Sequence, residues 1–325
     1  MIRRLIFSAL TAVLAVGGVG CKASPGVPIA ILMYHRIGDA PDDLWTVSPS
    51  DFEAQIQYLK QQHYESILPQ DLVDGKALPA KPVILTFDDG YLSVKTYAEP
   101  LLQKYGFRGV AYLITRYVAD DEAGRFRTEG NDRLTWPEVR EIRARGTIVF
   151  GGHSHTHPRL DQMKDPFPEI ETCFQEIVKK GGFKPDSFCY PYGAYNRTTV
   201  EAVKKAGFTT AMTCGEDWAD SRNSKLLKLQ RLWVRGGRHE FAVNKLAVED
   251  GMAVCRLEHK GIPIPVSVHL TWAANPPGEI WQNAKELGPG TSEWSWKLPP
   301  PVKDPRSLRV EVWDKNRFFR LFSYP

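Results

Sequence analysis

Long apolar runs are almost missing from this 325-residue chain. The one present, residues 5–16, follows Arg3 and Arg4 and precedes Gly17-Gly18-Val19-Gly20 and Cys21. It is too short for a spanning helix and has the layout of a secretory signal peptide. An excess of either charge is missing too. Without residues 1–20 the chain loses Arg3 and Arg4 and no acids, leaving 40 basic against 38 acidic residues, a balance of +2. So small a surplus gives no case for a nucleic-acid partner. Cysteine is sparse, and no close CxxC pair exists that would signal a zinc knuckle. Beyond Cys21 there are Cys173, Cys189, Cys214 and Cys255, which in an exported chain are enough for two disulfides or can stay as thiols. Internal repeats and low-complexity tracts are absent. With 42% hydrophobic and 25% charged residues, a sizeable core can form.

A cysteine directly after small residues resembles a bacterial lipobox, with Gly18 standing where leucine is usual. The expectation is a signal peptide over 1–20, acylation of Cys21, and a linker over 21–28. Lys22 is not a retention signal of the aspartate kind, so the expected place is the outer membrane, periplasmic or surface-facing. After the linker, apolar strand-like runs alternate with helix-like ones. Runs at 29–34, 83–87, 110–114, 148–150 and 188–190 read as strands. Ser50-Asp51-Phe52-Glu53 and Thr135-Trp136-Pro137-Glu138 read as capping boxes. Helices are expected over 169–180, with Ile170, Phe174, Ile177 and Val178 inward, and over 200–206, closed by Gly207. This alternation predicts a parallel α/β fold, either a barrel or a doubly wound sheet, over 29–247. From 252 to 325 short strands separated by Pro- and Gly-rich turns predict a small antiparallel β domain, sandwich-like. Its Trp272, Trp281, Trp294, Trp296 and Trp313 suit core packing or sugar-stacking platforms.

In an α/β barrel, reactive residues gather at the carboxyl ends of the strands. Four strand ends here carry His35, Asp88-Asp89, the 153–157 cluster and Pro191-Tyr192. Neighbouring carboxylates at a strand end point different ways, so one can ligate a metal while the other acts as a base; the plainer alternative is an Asp-Gly turn with a helix cap. His153 and His157, four apart, suit one face of a helical turn and a shared metal. His155 is a further ligand or points to solvent. One carboxylate plus two imidazoles leaves positions open for water and substrate.

These residues resemble carbohydrate esterase family four, the NodB-homology polysaccharide deacetylases, over residues 27–247. Thr86-Phe87-Asp88-Asp89-Gly90 matches the first motif, and His153 with His157, followed by Pro158 and Leu160, the second. The resemblance implies a distorted (β/α) barrel, Asp88 as general base, and Asp89, His153 and His157 around a divalent metal. Zinc is usual there, and cobalt, nickel or iron suit the same donors. In the third motif Cys189 stands where the family often has arginine, removing the usual partner of the base. Tyr192 remains, and its backbone N–H would bind the oxyanion. Met33-Tyr34-His35 resembles a branch of biofilm poly-N-acetylglucosamine deacetylases, in which the early histidine is the general acid; His35 is that expectation and His269 its rival. Pro191 and Trp218 would contact substrate, and Glu216, Asp217 and Arg231 would shape the pocket. The implied reaction is hydrolysis of an acetamide on an N-acetylated polymer, releasing acetate. Two alternatives stand beside it. One is an esterase or deacetylase of O-acetyl xylan or peptidoglycan on the same fold. The other is a surface carbohydrate-binding protein whose site has decayed.

Overall fold

The computed structural model describes residues 26–324 apart from 41–42, 128–131, 216–218, 222–224, 237–238, 262–263, 273–277, 288, 300–301, 303, 305–306 and 315–319. Cys21 and Trp218, with Glu216 and Asp217, lie outside the described residues. Among the described residues no helix is long and apolar enough to cross a membrane.

Six strands, β1 (Pro28–Tyr34), β2 (Pro82–Phe87), β3 (Gly109–Leu113), β4 (Ile148–Gly152), β5 (Ser187–Cys189) and β6 (Thr210–Met212), lie side by side in chain order. Each pairs in parallel with the next. A two-residue strand, β7 (Leu232–Trp233), pairs with the side of β1 away from β2, and Leu229 just before it bridges Met212 of β6. Residues 229–233 therefore touch both ends of a sheet curled into a half-barrel.

The sequence drives the curl because both faces of these strands are apolar, as buried parallel strands require. Ile29 and Ile31 turn inward with Ile84, Val110, Tyr112 and Met212. Ala30, Leu32 and Tyr34, one residue out of step, pack outward with Val83, Leu85 and Phe87 in the core shared with the helices.

Helix α1 (Pro49–Gln61) begins two residues earlier than the expected box at Ser50. Ser48 is the cap, its hydroxyl accepting from the Asp51 N–H at 3.1 Å, and Pro49 fits the first turn because it has no N–H to leave unpaired. Helix α2 (Trp136–Arg145) has the expected Thr135/Glu138 box and ends at left-handed Gly146. The helix expected over 169–180 is α3 (Phe167–Glu176), widening into a π turn at Ile177–Gly181. That widening rotates Val178 to the surface, where it is 39% exposed rather than inward. Helix α4 (Arg197–Ala206) is capped by Asn196 and closed by Gly207.

The carboxyl-terminal region is all β, but it starts sooner than the 247/252 division expected. Strand β8 (His239–Glu249) forms a hairpin with β9 (Met252–Gly261), and β9 pairs with β12 (Gly290–Lys297). A second sheet has the order β11 (Gly278–Leu287), β10 (Ile264–Trp272), β13 (Leu308–Asp314), β14 (Arg320–Tyr324). Cys255, Leu257, Trp294 and Trp296 from the first sheet share one core with Val268, Leu270 and Val310 from the second, the arrangement of a sandwich. Trp272, Trp294 and Trp296 are thus core residues.

Candidate active site

The chain leaves each parallel strand at the same end of the sheet, and four of those exits build one pocket of about 710 Å³. His35 follows β1, Asp88 and Asp89 follow β2, His153 follows β4, and Tyr190 and Tyr192 follow β5. All the expected catalytic and metal residues that lie within the described part therefore meet, and Cys214, Gly215, Trp233 and Arg235 complete the wall. Pro191 is buried just behind Tyr192.

Backbone geometry aims these side chains at a cost. Asp89, Ser154, His157 and Tyr192 all have φ between 59° and 72°, the left-handed region that non-glycine residues avoid. The two histidines converge through this irregular loop, not through the helical turn their spacing suggested. Ser154 braces it by accepting from the His157 N–H at 2.9 Å. After Tyr192, Gly193 is also left-handed (φ 65°), and a Cβ there would lie 2.5 Å from that of Cys214. Only glycine fits.

His153 is buried, and its Nδ1 donates to the Cys189 carbonyl at 2.8 Å. That bond leaves Nε2 as the ring's lone-pair nitrogen. It lies 3.1 Å from His157 Nε2 and 3.5 Å from Asp89 Oδ1, with His157 Nε2 3.8 Å from the same oxygen. Tetrahedral bonds of about 2.0–2.1 Å to a cation would separate ligand atoms by about 3.3 Å. The donor set Asp89, His153 and His157 fits a divalent cation on both chemistry and spacing. Asp88, His153 and Cys189 also approach one another, but both Asp88 oxygens are engaged elsewhere. Burial pushes His157 down to about 4, and the neighbouring His153 adds to this, keeping it neutral and able to ligate. His155 turns away, its Nδ1 3.0 Å from the Thr115 hydroxyl. Arg133 fixes Asp89 from outside, donating to its carbonyl at 2.7 Å while stacking on Tyr91.

The partner missing at Cys189 arrives from the residue just before β7. Arg231, fully buried, grips Asp88 with two parallel bonds, Nη1 to Oδ1 and Nη2 to Oδ2, both 2.8 Å. Its Nε donates to the Thr213 carbonyl and its Nη2 lies 3.1 Å from Cys189 Sγ. The small thiol leaves the space that the guanidinium fills. Burial alone would raise the Asp88 carboxyl; the Arg231 charge and hydrogen bonds outweigh it and hold the group well below the usual carboxylate range. The resemblance marks Arg231 only as a residue shaping the pocket, and the sequence carries no signal for Arg133. His35 Nε2 lies 3.9 Å from Asp88 Oδ2. Burial favours its neutral form, and the Asp88 and Asp89 carboxylates pull the other way. His269 sits in β10, paired with Glu279 and Glu311 and stacked on Trp281, and is not among the pocket residues.

Residues 75–211 match a family profile described as polysaccharide deacetylase. The chain carries a polysaccharide deacetylase domain of the NodB type. It is similar to the poly-beta-1,6-N-acetyl-D-glucosamine N-deacetylase of Escherichia coli, with 24% identity over 328 residues, 88% of this chain and 48% of that protein. The chain thus spans about half the length of this relative. Among solved structures, a deacetylase of Streptococcus pyogenes, PplD in complex with acetate, superposes with a TM-score of 0.57 at 26% identity, covering 65% of this chain and 93% of that one. IcaB of Ammonifex degensii gives 0.56 at 26%, with the same coverage. The domain is of a hydrolase family.

Proposed function

We propose that the protein hydrolyses N-acetyl groups on a poly-N-acetylglucosamine-like polymer and releases acetate. The observation that carries this reading is the convergence of Asp88–Arg231, His35 and the Asp89/His153/His157 donors on one open pocket. The names of the relatives support the choice of polymer. A divalent cation held by Asp89, His153 and His157, zinc first among those that suit two imidazoles and a carboxylate, would supply a Lewis acid for the acetamide oxygen and acidify the attacking water.

Asp88 takes a proton from the attacking water. Held ionised by Arg231 it is a weak base, suited to a water whose acidity a bound cation would raise. The Tyr192 backbone N–H donates to the oxygen of the tetrahedral intermediate. His35, which burial biases toward the neutral form against the pull of the Asp88 and Asp89 carboxylates, stands at the pocket to pass a proton to the departing amine. In the fold this requires a distorted (β/α) barrel in which residues 229–233 supply the closing position.

Acetate release from poly-N-acetylglucosamine oligomers, by protein lacking residues 1–21, tests the reading. Release that chelator stops and zinc restores is expected. Asp88→Asn should lose on the order of 10²–10⁴-fold in turnover while binding as much metal as the wild type. Equal loss of both would overturn the assigned roles, and release from acetylxylan alone would move the function to an esterase. Export and acylation at Cys21 belong to the same proposal. Labelled palmitate should enter the wild type and not Cys21→Ala.

A further inference from the structure

His35 is held by packing where a hydrogen bond would be expected. Among the described residues its buried Nδ1 has no hydrogen-bond partner, and Nε2 at 3.9 Å from Asp88 is beyond hydrogen-bond reach. A working imidazole is ordinarily oriented by a bond on its second nitrogen. What meets this ring is Trp45, edge to face, with centroids 4.5 Å apart and planes at 71°.

Trp45 is itself clamped. Its indole stacks on Trp233 at 4.3 Å. The Trp45 backbone N–H donates to Asp43 Oδ1 at 2.9 Å, and Asp43 is paired with Arg36 at 2.8 Å. Its carbonyl accepts from the Arg36 N–H at 3.1 Å. The residue before it, Leu44, packs against the core of the carboxyl-terminal sandwich, and its carbonyl accepts from the Gly236 N–H at 2.8 Å. A Cβ at Gly236 would lie 1.6 Å from the Thr46 carbonyl oxygen, so the contact between the two segments depends on glycine.

We infer that Trp45 is a positioning residue for His35, and that the sandwich sets its place through Leu44. The inference rests on the reading of His35 as the acid that protonates the amine. It gives the β region a task in catalysis that needs no contact with the polymer.

The leaving group provides the test. An amine must be protonated to depart; the phenolate of 4-nitrophenyl acetate leaves without an acid. Initial rates on N-acetylglucosamine oligomers and on 4-nitrophenyl acetate are compared for wild type, Trp45→Ala, Trp45→Phe, Leu44→Ala and His35→Ala. In Trp45→Ala the ratio of oligomer kcat to aryl-acetate kcat should fall about tenfold or more, as displacement of a catalytic group predicts, with KM for the oligomer little changed. Leu44→Ala should shift the ratio the same way, and Trp45→Phe should restore most of it. A raised KM at unchanged kcat would overturn the inference and make the 47% exposed Trp45 a sugar platform. Equal loss on both substrates would also overturn it, and so would a Leu44→Ala ratio equal to wild type, for the sandwich's part. Undiminished oligomer turnover in His35→Ala is a separate failure, of the underlying reading of His35.

Discussion

Asp88 owes its charge to one neighbour, and that neighbour stands 143 positions away in the chain. Replacing Arg231 with glutamine leaves a buried carboxylate without a cation. A loss of about 3–5 kcal/mol is expected, readable by urea denaturation, with turnover falling as well. Arg231→Lys should recover little, since an ammonium cannot make two parallel bonds. At this scale the sequence was legible where a side chain sits directly on a strand end: His35, Asp88, Asp89, His153 and Tyr192 could all be picked out from that position alone. Arg231 could not, because nothing local marks a residue whose meaning is a partner on a different strand. Arg133 fails for the same reason, acting on the backbone of Asp89 across 44 positions.

Helix α2 shows what local chemistry decides at the scale of the element. Glu138 accepts from the Thr135 N–H at 3.0 Å and binds Arg125 and Lys95. Burial raises its carboxyl, but the bonds from Arg125 and Thr135 win and bring it down to about 2 from an ordinary 4.5. A depressed carboxyl contributes stability that is complete above its unfolded value and disappears as pH falls through the folded one. Glu138→Gln should therefore be less stable than wild type by about 1 kcal/mol at pH 7, and the gap should close between pH 4.5 and 2. Denaturation midpoints across that range check it. Such a cap made α2 readable in advance; for α4 only the closing Gly207 was read, and the helix begins at Arg197, three residues before the expected start. Strand β8 was not readable: His239–Glu249 is rich in alanine, leucine, lysine and glutamate, residues that favour helix, and is extended because β9 pairs along its length. The π turn after α3 has no signature either, which is why Val178 was placed on the wrong face.

For the molecule as a whole, two cores meet through a short span, with Leu44 reaching from the deacetylase domain into the sandwich. The question of disulfides is decided at this scale too. Cys173, Cys189, Cys214 and Cys255 are all thiols, and of these Cys214 alone is partly exposed. Burial pushes Cys173 and Cys255 up to about 12. A thiol reagent should label one cysteine quickly in native protein lacking residues 1–21, and four in denaturant; two or fewer in denaturant would mean a disulfide had formed.

The segment that bridges β6 to β1 also carries the guanidinium that holds Asp88. During synthesis, the carboxylate emerges long before its cation. Contacts that close so long a loop form late, since the entropy of closure must be met first. Any fragment ending before residue 231 leaves both the last strand pairing and the ionised base unmade. Completion of the sheet and arming of the site are therefore one event, and they fall at the end of this domain's assembly.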